Sequence, residues 1–359
     1  MLIATPRNLP VDLPRAKGAG DFPAPKLAVV IPCYRVTRHI ERVLGGIGPE
    51  VSLIYCIDDG CPDGSGLAAK EASVDDPRVR IVFHSDNQGV GAAVLTGYRH
   101  ALRDGAEIIV KLDGDGQMDG GEIPQLVAPI VRGEADYVKG NRFFNLDDLR
   151  SMPRLRLLGN AGLSFFSKLS SGYWNLFDPT NGFTAIHASA ASLLPFDKVC
   201  RRYFFESDLL FRLNTIRAVV LDVPQKARYA DERSHLSVFR SLIEFPLRHF
   251  SNFLKRLLYN YFLRDFNAAS LNLVVGLALI VFGVAFGATH WIRSARLDVF
   301  TSPGTVMLSA LPIILGAQAL FSFLHFDTTN MPRYPLQRLI GRERPSSTAA
   351  GDRSEAAID

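Results

Sequence analysis

The chain has 359 residues, 47% of them hydrophobic and 21% charged, with a formal net charge of +4. That length suggests about two units rather than one. The weak positive balance sits beside apolar segments and never as a basic patch interleaved with aromatics, which argues against a nucleic-acid partner; Cys33, Cys56, Cys61 and Cys200 form no Cys-x-x-Cys pair and have no His at ligand spacing, which argues against a zinc site.

Residues 1–26 are rich in proline and lack the charged-then-apolar layout of a signal peptide, so a mobile tail is expected there. From Leu27 to about Lys139 the pattern alternates. Apolar runs at Leu27–Ile31, Leu53–Ile57, Val79–Phe83 and Ile108–Leu112 predict strands. Thr37–Leu44, Leu67–Ala72, Val90–Leu102 and Glu122–Val131 predict the helices between and after them. Such alternation predicts an α/β fold with a mainly parallel sheet covered on both faces. Ligands on such sheets bind beyond the carboxyl ends of the strands. Pro32-Cys33-Tyr34, Asp58-Asp59-Gly60 and Asp113-Gly114-Asp115 all fall at that edge.

Between 141 and 237 the pattern is less regular. Arg154–Leu169 carries an apolar stripe at Leu155, Leu158, Gly162, Phe165 and Leu169, and Phe204–Leu213 reads as a helix holding Glu206, Ser207 and Asp208. Ile243, Leu247, Phe250, Leu254, Leu257 and Tyr261 form a second stripe, with Pro246 expected to kink or delay its helix. Flanked by Arg and Lys ahead of a longer apolar segment, residues 238–266 fit amphipathic helices lying in a membrane interface. Asn267–Ile292 and Val299–Phe326 contain no Asp, Glu, Lys or Arg, and each covers the roughly 20 residues a helix needs to cross a bilayer. Arg248, Lys255, Arg256 and Arg264 precede the first span. Arg333, Arg338, Arg342 and Arg344 follow the second, and the connecting loop has only Arg293 and Arg296, offset by Asp298. The positive-inside tendency predicts an integral membrane protein with two spans within 267–326, and with its soluble domain and both termini, including the tail 327–359, in the cytoplasm. The segment after Pro345 is expected to be disordered. Two spans leave a homo-oligomer open.

Two acids spaced i, i+2 with glycines between can turn toward one cation. Hard oxygen ligands at Asp113 and Asp115 suit Mg2+ or Mn2+, which usually takes one or two carboxylates together with substrate phosphates; Gln117 offers a further oxygen. Asp59 offers a carboxylate to the base or ribose of a nucleotide, or closes an ordinary turn. Asn87-Gln88-Gly89-Val90-Gly91 opens a helix whose first amides either face an anion or simply begin the helix.

Val29-Val30-Ile31-Pro32-Cys33-Tyr34, the segment 57–65 (IDDGCPDGS), the segment 87–93 (NQGVGAA) and Asp113-Gly114-Asp115-Gly116-Gln117 occur in the order seen in family 2 glycosyltransferases. With two C-terminal spans, the chain resembles the polyprenyl-phosphate glycosyltransferases of the dolichyl-phosphate mannose synthase type, over roughly 27–237. The resemblance implies a GT-A fold binding a nucleotide sugar through Pro32, Tyr34, Ile57, Asp59, Asp113, Gly114 and Arg228. It implies a metal held by Asp115, Gln117 and Asp113, and a lipid phosphate held by Arg142, Arg156, Asn160 and Ser234. Asp115, Arg142 and Asp208 become the catalytic candidates, with Glu206 or Asp208 either a base or a positioning acid, and Asp178 either a sugar ligand or a loop cap. The implied reaction is inverting transfer of one sugar to a polyprenyl phosphate. Arg35 after Tyr34 and the longer, glycine-free segment from Arg228 to Ser234 depart from the family pattern and leave the nucleotide open. A processive polysaccharide synthase is the alternative, because Gln225 to Tyr229 is similar to its Gln-x-x-Arg-Trp element, as is transfer to a hydroxyl acceptor. A transferase-like domain used only for binding would not need the intact acid set.

Overall fold

The structure, a computed structural model, describes residues 25–143, 154–178, 181–225 and 238–340, with the side chains of 154–158, 160 and 238–243 outside that description. Apolar runs too short and too β-branched for helices build β1 (Leu27–Cys33), β2 (Val51–Asp58), β3 (Val79–Phe83) and β4 (Ile108–Lys111). Three further strands complete the sheet: β5 (Tyr137–Asn141), β6 (Thr184–His187) and β7 (Val220–Pro224). The order is β3-β2-β1-β4-β6-β5-β7. Only β6 runs antiparallel to its neighbours, so the sheet is mainly parallel, as expected.

Both faces are covered. Helices α1 (Ile40–Gly45), α2 (Ser65–Ala72) and α4 (Ile123–Val131) close one core around Val29, Ile31, Ile54 and Val110. Helices α3 (Val90–Arg103), α6 (Ala188–Ser192) and α7 (Phe205–Thr215) close the other around Val30, Tyr55, Ile109 and Ile186. This alternation of inward residues along β1 is the period-2 signature of a strand buried on both sides. Because β1, β2, β4 and β5 are parallel, their carboxyl ends share one edge.

Two helices line the other side of α7. Helix α5 spans Arg154–Ser171, and α8 spans Val238–Leu258, running through Pro246. Helix α8 has the reverse of a soluble helix's faces. Its polar residues His249, Asn252 and Arg256 are buried against the domain, whereas Leu247, Phe250, Leu254 and Leu258 are exposed. The outward stripe therefore continues through Leu258; Leu257 and Tyr261, which the sequence pattern assigned to it, turn inward. A π-helical turn, Tyr259–Arg264, separates α8 from the first long apolar helix.

Helices α9 (Ala268–Leu297) and α10 (Pro303–Thr329) are 30 and 27 residues long and apolar enough to cross a membrane; only 11% of each apolar window is buried, unlike the core helix of a soluble domain. They pack through small residues: a Cβ on Gly276 would meet the Gly316 carbonyl at 3.0 Å, and Ser309 Oγ donates to the Gly283 carbonyl at 2.9 Å. At its carboxyl end α10 is tied to the soluble domain. Asp327 accepts from Arg256 Nη1 (2.6 Å), Arg256 Nη2 (3.0 Å), Tyr261 Oη (2.6 Å) and Trp174 Nε1 (3.1 Å). Beyond it, α11 (Leu336–Ile340) returns to the sheet, where the buried Asp136 accepts from the backbone amides of Leu336, Gln337 and Val219. The first part of the C-terminal segment is thus docked on the edge of the sheet opposite the shared carboxyl ends.

Candidate active site

At the shared edge, β1 delivers Pro32 and Tyr34, β2 delivers Asp58 and Asp59, and β4 delivers Asp113 to Gln117. β5 delivers Asn141 and Arg142, and the turn before β6 delivers Asp178 and Asn181 to Phe183. Tyr34 is exposed and Pro32 half-buried, while the Ile57 side chain is fully buried in the core. Asp58 closes its own loop, accepting from the amides of Cys61 (2.7 Å) and Gly66 (2.6 Å).

Asp59 is bound inward. Its carboxylate accepts from the amides of Gln88 (3.0 Å) and Gly89 (2.8 Å), and His84 Nδ1 lies 2.8 Å away. The amides suggested for an anion at the start of α3 are therefore already taken in part by Asp59. The glycines there serve close packing instead: a Cβ would come 2.5 Å from the Arg201 carbonyl at Gly89, where φ is +102°, and 2.5 Å from the Cys200 carbonyl at Gly91. Gly91→Ala is expected to lower stability by about 1–3 kcal/mol, because backbone rather than a side-chain tip must move; a thermal melt equal to that of the unmodified protein would reject this packing.

Asp113 and Asp115 are half-buried on one loop, and Asp115 Oδ1 accepts from the Gln117 amide at 2.9 Å. Gly114 permits the loop's close approach to β1 and the segment after it, since a Cβ would meet Val36 Cγ2 at 3.1 Å and Ile31 Cγ2 at 3.4 Å. Two hard carboxylates fit a divalent cation completed by a diphosphate. They do not make a site by themselves, and among the described residues no cluster of three or more His, Cys, Asp or Glu is arranged to hold a metal.

Beside them lies a group that the sequence pattern did not single out. Lys111, the last residue of β4, is buried with Nζ 2.8 Å from Asp113 Oδ1 and 3.1 Å from Glu206 Oε1. Burial alone would pull its ammonium down, but the two carboxylates outweigh burial and hold it above the ordinary lysine value. A second buried lysine, Lys139, stands abreast of it, both paired in register with Thr184. Its Nζ donates to the Asn181 carbonyl at 2.7 Å, and burial pulls its pKa down to about 8.

Glu206, not Asp208, faces this cluster. Asp208 is buried and turned away: it accepts from the Cys200 amide (2.9 Å), Arg212 Nε (2.9 Å) and Asn252 Nδ2 (3.0 Å), and so pins α8 to α7. Its carboxylate is thus engaged away from Lys111 and Asp113. Arg142 is clamped by the buried Asp178, through Nε (2.8 Å) and Nη2 (3.2 Å). This is a bidentate, charge-assisted pair. Arg228 and Ser234 lie outside the described residues. Arg156 and Asn160 lie on the backbone of α5, their side chains outside the description.

Asp222 on β7 adds a pH dependence. Its Oδ2 accepts from the Phe177 amide at 2.6 Å, its Oδ1 has no partner among the described residues, and burial pushes its carboxyl up to about 6. The unfolded chain releases that proton near 4. The stability this group contributes is therefore complete below about pH 4 and falls as the pH rises through about 6. Asp222→Asn is expected to flatten the fall by roughly 2 kcal/mol, read as the difference in melting temperature between pH 4.5 and pH 7.5; an unchanged difference would count against the assignment.

The glycosyl transferase family 2 model matches residues 28–194. The chain is 30% identical over 220 residues to the polyprenol monophosphomannose synthase of Mycolicibacterium smegmatis, covering 58% of this chain and 82% of that one. It is 29% identical over 216 residues to the UDP-N-acetylglucosamine–dolichyl-phosphate N-acetylglucosaminyltransferase of Methanococcus voltae, covering 56% of this chain and 86% of that one. Among solved structures it is similar to glucosyl-3-phosphoglycerate synthase from Mycobacterium tuberculosis, crystallised with Mn2+ and uridine diphosphate, at 19% identity and a TM-score of 0.49 over 65% of this chain and 80% of that one. The chain belongs to glycosyltransferase family 2. It is a glycosyltransferase whose curated relatives include polyprenyl-phosphate sugar transferases.

Proposed function

We propose that this enzyme moves one sugar from a nucleotide-sugar donor to a polyprenyl phosphate at the cytoplasmic face of a membrane, with inversion at the anomeric carbon. The observation that carries the reading is the convergence of Asp113, Asp115 and Arg142 on one sheet edge of a chain that also has two apolar helices long enough to span a bilayer. The acceptors named for the curated relatives support the lipid phosphate. The basic residues flanking the spans support a cytoplasmic domain, and the exposed apolar stripe of α8 supports that helix lying in the interface.

Asp115, Asp113 and Gln117 would hold Mg2+ or Mn2+, which when bound supplies positive charge to a departing diphosphate. Pro32, Tyr34, Gly114 and Arg228 would line the nucleotide, with the buried Ile57 and Asp59 supporting it from beneath. Arg142, its guanidinium plane fixed by Asp178, would orient the acceptor phosphate, joined by Arg156, Asn160 and Ser234. A phosphate monoester has a second pKa near 6, so its attacking oxygen is already largely anionic near pH 7. Such a nucleophile needs orientation more than it needs a base.

The test is incubation of the purified protein with a polyprenyl phosphate, Mg2+ or Mn2+ and a panel of nucleotide sugars, followed by mass measurement of the lipid. One added sugar per phosphate is expected. A polymer, or transfer only to hydroxyl acceptors, would overturn the reading.

A further inference from the structure

We propose that Lys111 is the positioning residue for the donor-side carboxylate Asp113, and that Glu206 acts through Lys111 rather than as a base on the acceptor. The inference rests on the donor half of the proposed function. Nothing in the family resemblance assigns a role to Lys111.

The geometry has three parts. The ammonium bridges carboxylates from two separate elements, Asp113 in the loop after β4 and Glu206 on α7. It is buried, with 2% of its side chain accessible, so water does not compete for the bridge. The backbone of the turn before β6 lies directly over it: a Cβ on Gly182 would come 2.2 Å from Asp113 Oδ2 and 2.5 Å from Lys111 Nζ. Lys139, two strands further along the same row across Thr184, holds that turn through the Asn181 carbonyl.

With Oδ1 held by Lys111, Asp113 is fixed in one orientation, and Oδ2 is left beside Gly182. A carboxylate aimed in advance loses less entropy when a cation and diphosphate arrive. Glu206 supplies the counter-charge that keeps the lysine in place while Asp113 engages a ligand. Without it, Lys111 would have only Asp113 to pair with and would compete with any cation for that carboxylate. Glu206 turns Oε1 toward the buried ammonium, which fits a positioning role.

The experiment compares Lys111→Met, Glu206→Gln and the double variant. It measures binding of Mn2+ with UDP and of Mn2+ with GDP by calorimetry, then kcat and KM for the donor. Both single variants are expected to weaken metal–nucleotide binding about tenfold to a hundredfold. The double variant is expected to be no weaker than Lys111→Met, because the two residues act as one unit. At saturating metal and donor, kcat should stay within about fivefold of the unmodified enzyme. Unchanged metal–nucleotide binding in Lys111→Met would overturn the proposal. So would a Glu206→Gln variant that binds normally but loses kcat by about a thousandfold, the mark of a direct base. If Lys111→Met fails to fold, the double variant, which also removes the Glu206 charge that Lys111 had paired, decides on the same binding measurement. The lipid plays no part in that measurement, so a failure with polyprenyl phosphate would count against the acceptor reading alone.

Discussion

Asp115→Asn is expected to lower sugar transfer by about a hundred- to a thousandfold while the protein stays folded. The substitution is chosen because Asp115 Oδ1 accepts from the Gln117 amide, and an asparagine oxygen can keep that bond. The loop conformation is then retained and only the negative charge is removed. Asp115→Ala would remove both, and its loss of activity would mix a loosened loop with a missing ligand. The charge matters because a diphosphate departing from a sugar gathers negative charge in the transition state, and a cation held beside it lowers that cost. Asp113 cannot replace Asp115 in this role, since one of its oxygens is held by Lys111. The measurement is the initial rate across a Mn2+ titration, together with a thermal melt. A variant within about threefold of the unmodified rate at every metal concentration would remove Asp115 from the site.

The parts of this arrangement legible in the sequence were those written in runs. Strands β1 to β4 were legible because four to eight apolar residues stand between turn signals, and the acids at their ends followed from the rule that ligands gather at strand carboxyl ends. Strands β5 to β7 were not legible. They are 4 or 5 residues long and carry Lys139 and Asp222, charged residues that a pattern reading assigns to a surface. Lys111 was missed for the same reason, although a lysine ending an otherwise apolar strand two residues before an acid is a signal that could have been used. Glu206 and Asp208 were indistinguishable by composition. Two positions apart on a helix they diverge by about 200°, so only packing decides which one meets the site. On α8 the residue pattern contains an apolar stripe but not its direction, because the opposite face is buried through polar bonds made by His249, Asn252 and Arg256 alongside the apolar contacts of Phe245 and Leu257.

Those polar bonds carry the largest expected effect on stability. Arg256→Leu should cost about 3–5 kcal/mol, because it leaves Asp327 buried without its cation. Arg256 and Asp327 are 2% and 4% exposed, so solvent does little to relieve the remaining charge. The doubly substituted Arg256→Leu/Asp327→Leu protein should recover much of the loss, since apolar replacement of a buried pair is often close to neutral. It should not recover all of it, because Tyr261 Oη and Trp174 Nε1 lose their acceptor. The pair also has a consequence for function. Asp327 belongs to α10, Arg256 to α8 and Trp174 to the turn after α5, so one carboxylate ties an apolar span to two parts of the soluble domain. The double variant should therefore fold and bind metal–nucleotide normally, yet use a membrane-embedded acceptor less well than a short-chain, water-soluble one. Melting in detergent checks the first expectation, and the ratio of rates on long and short acceptors checks the second. A double variant as unstable as Arg256→Leu would mean that the hydrogen bonds to Asp327, rather than its charge balance, hold the junction; an unchanged acceptor ratio would mean that the domain keeps its place over the bilayer through α11 and the α8 stripe alone.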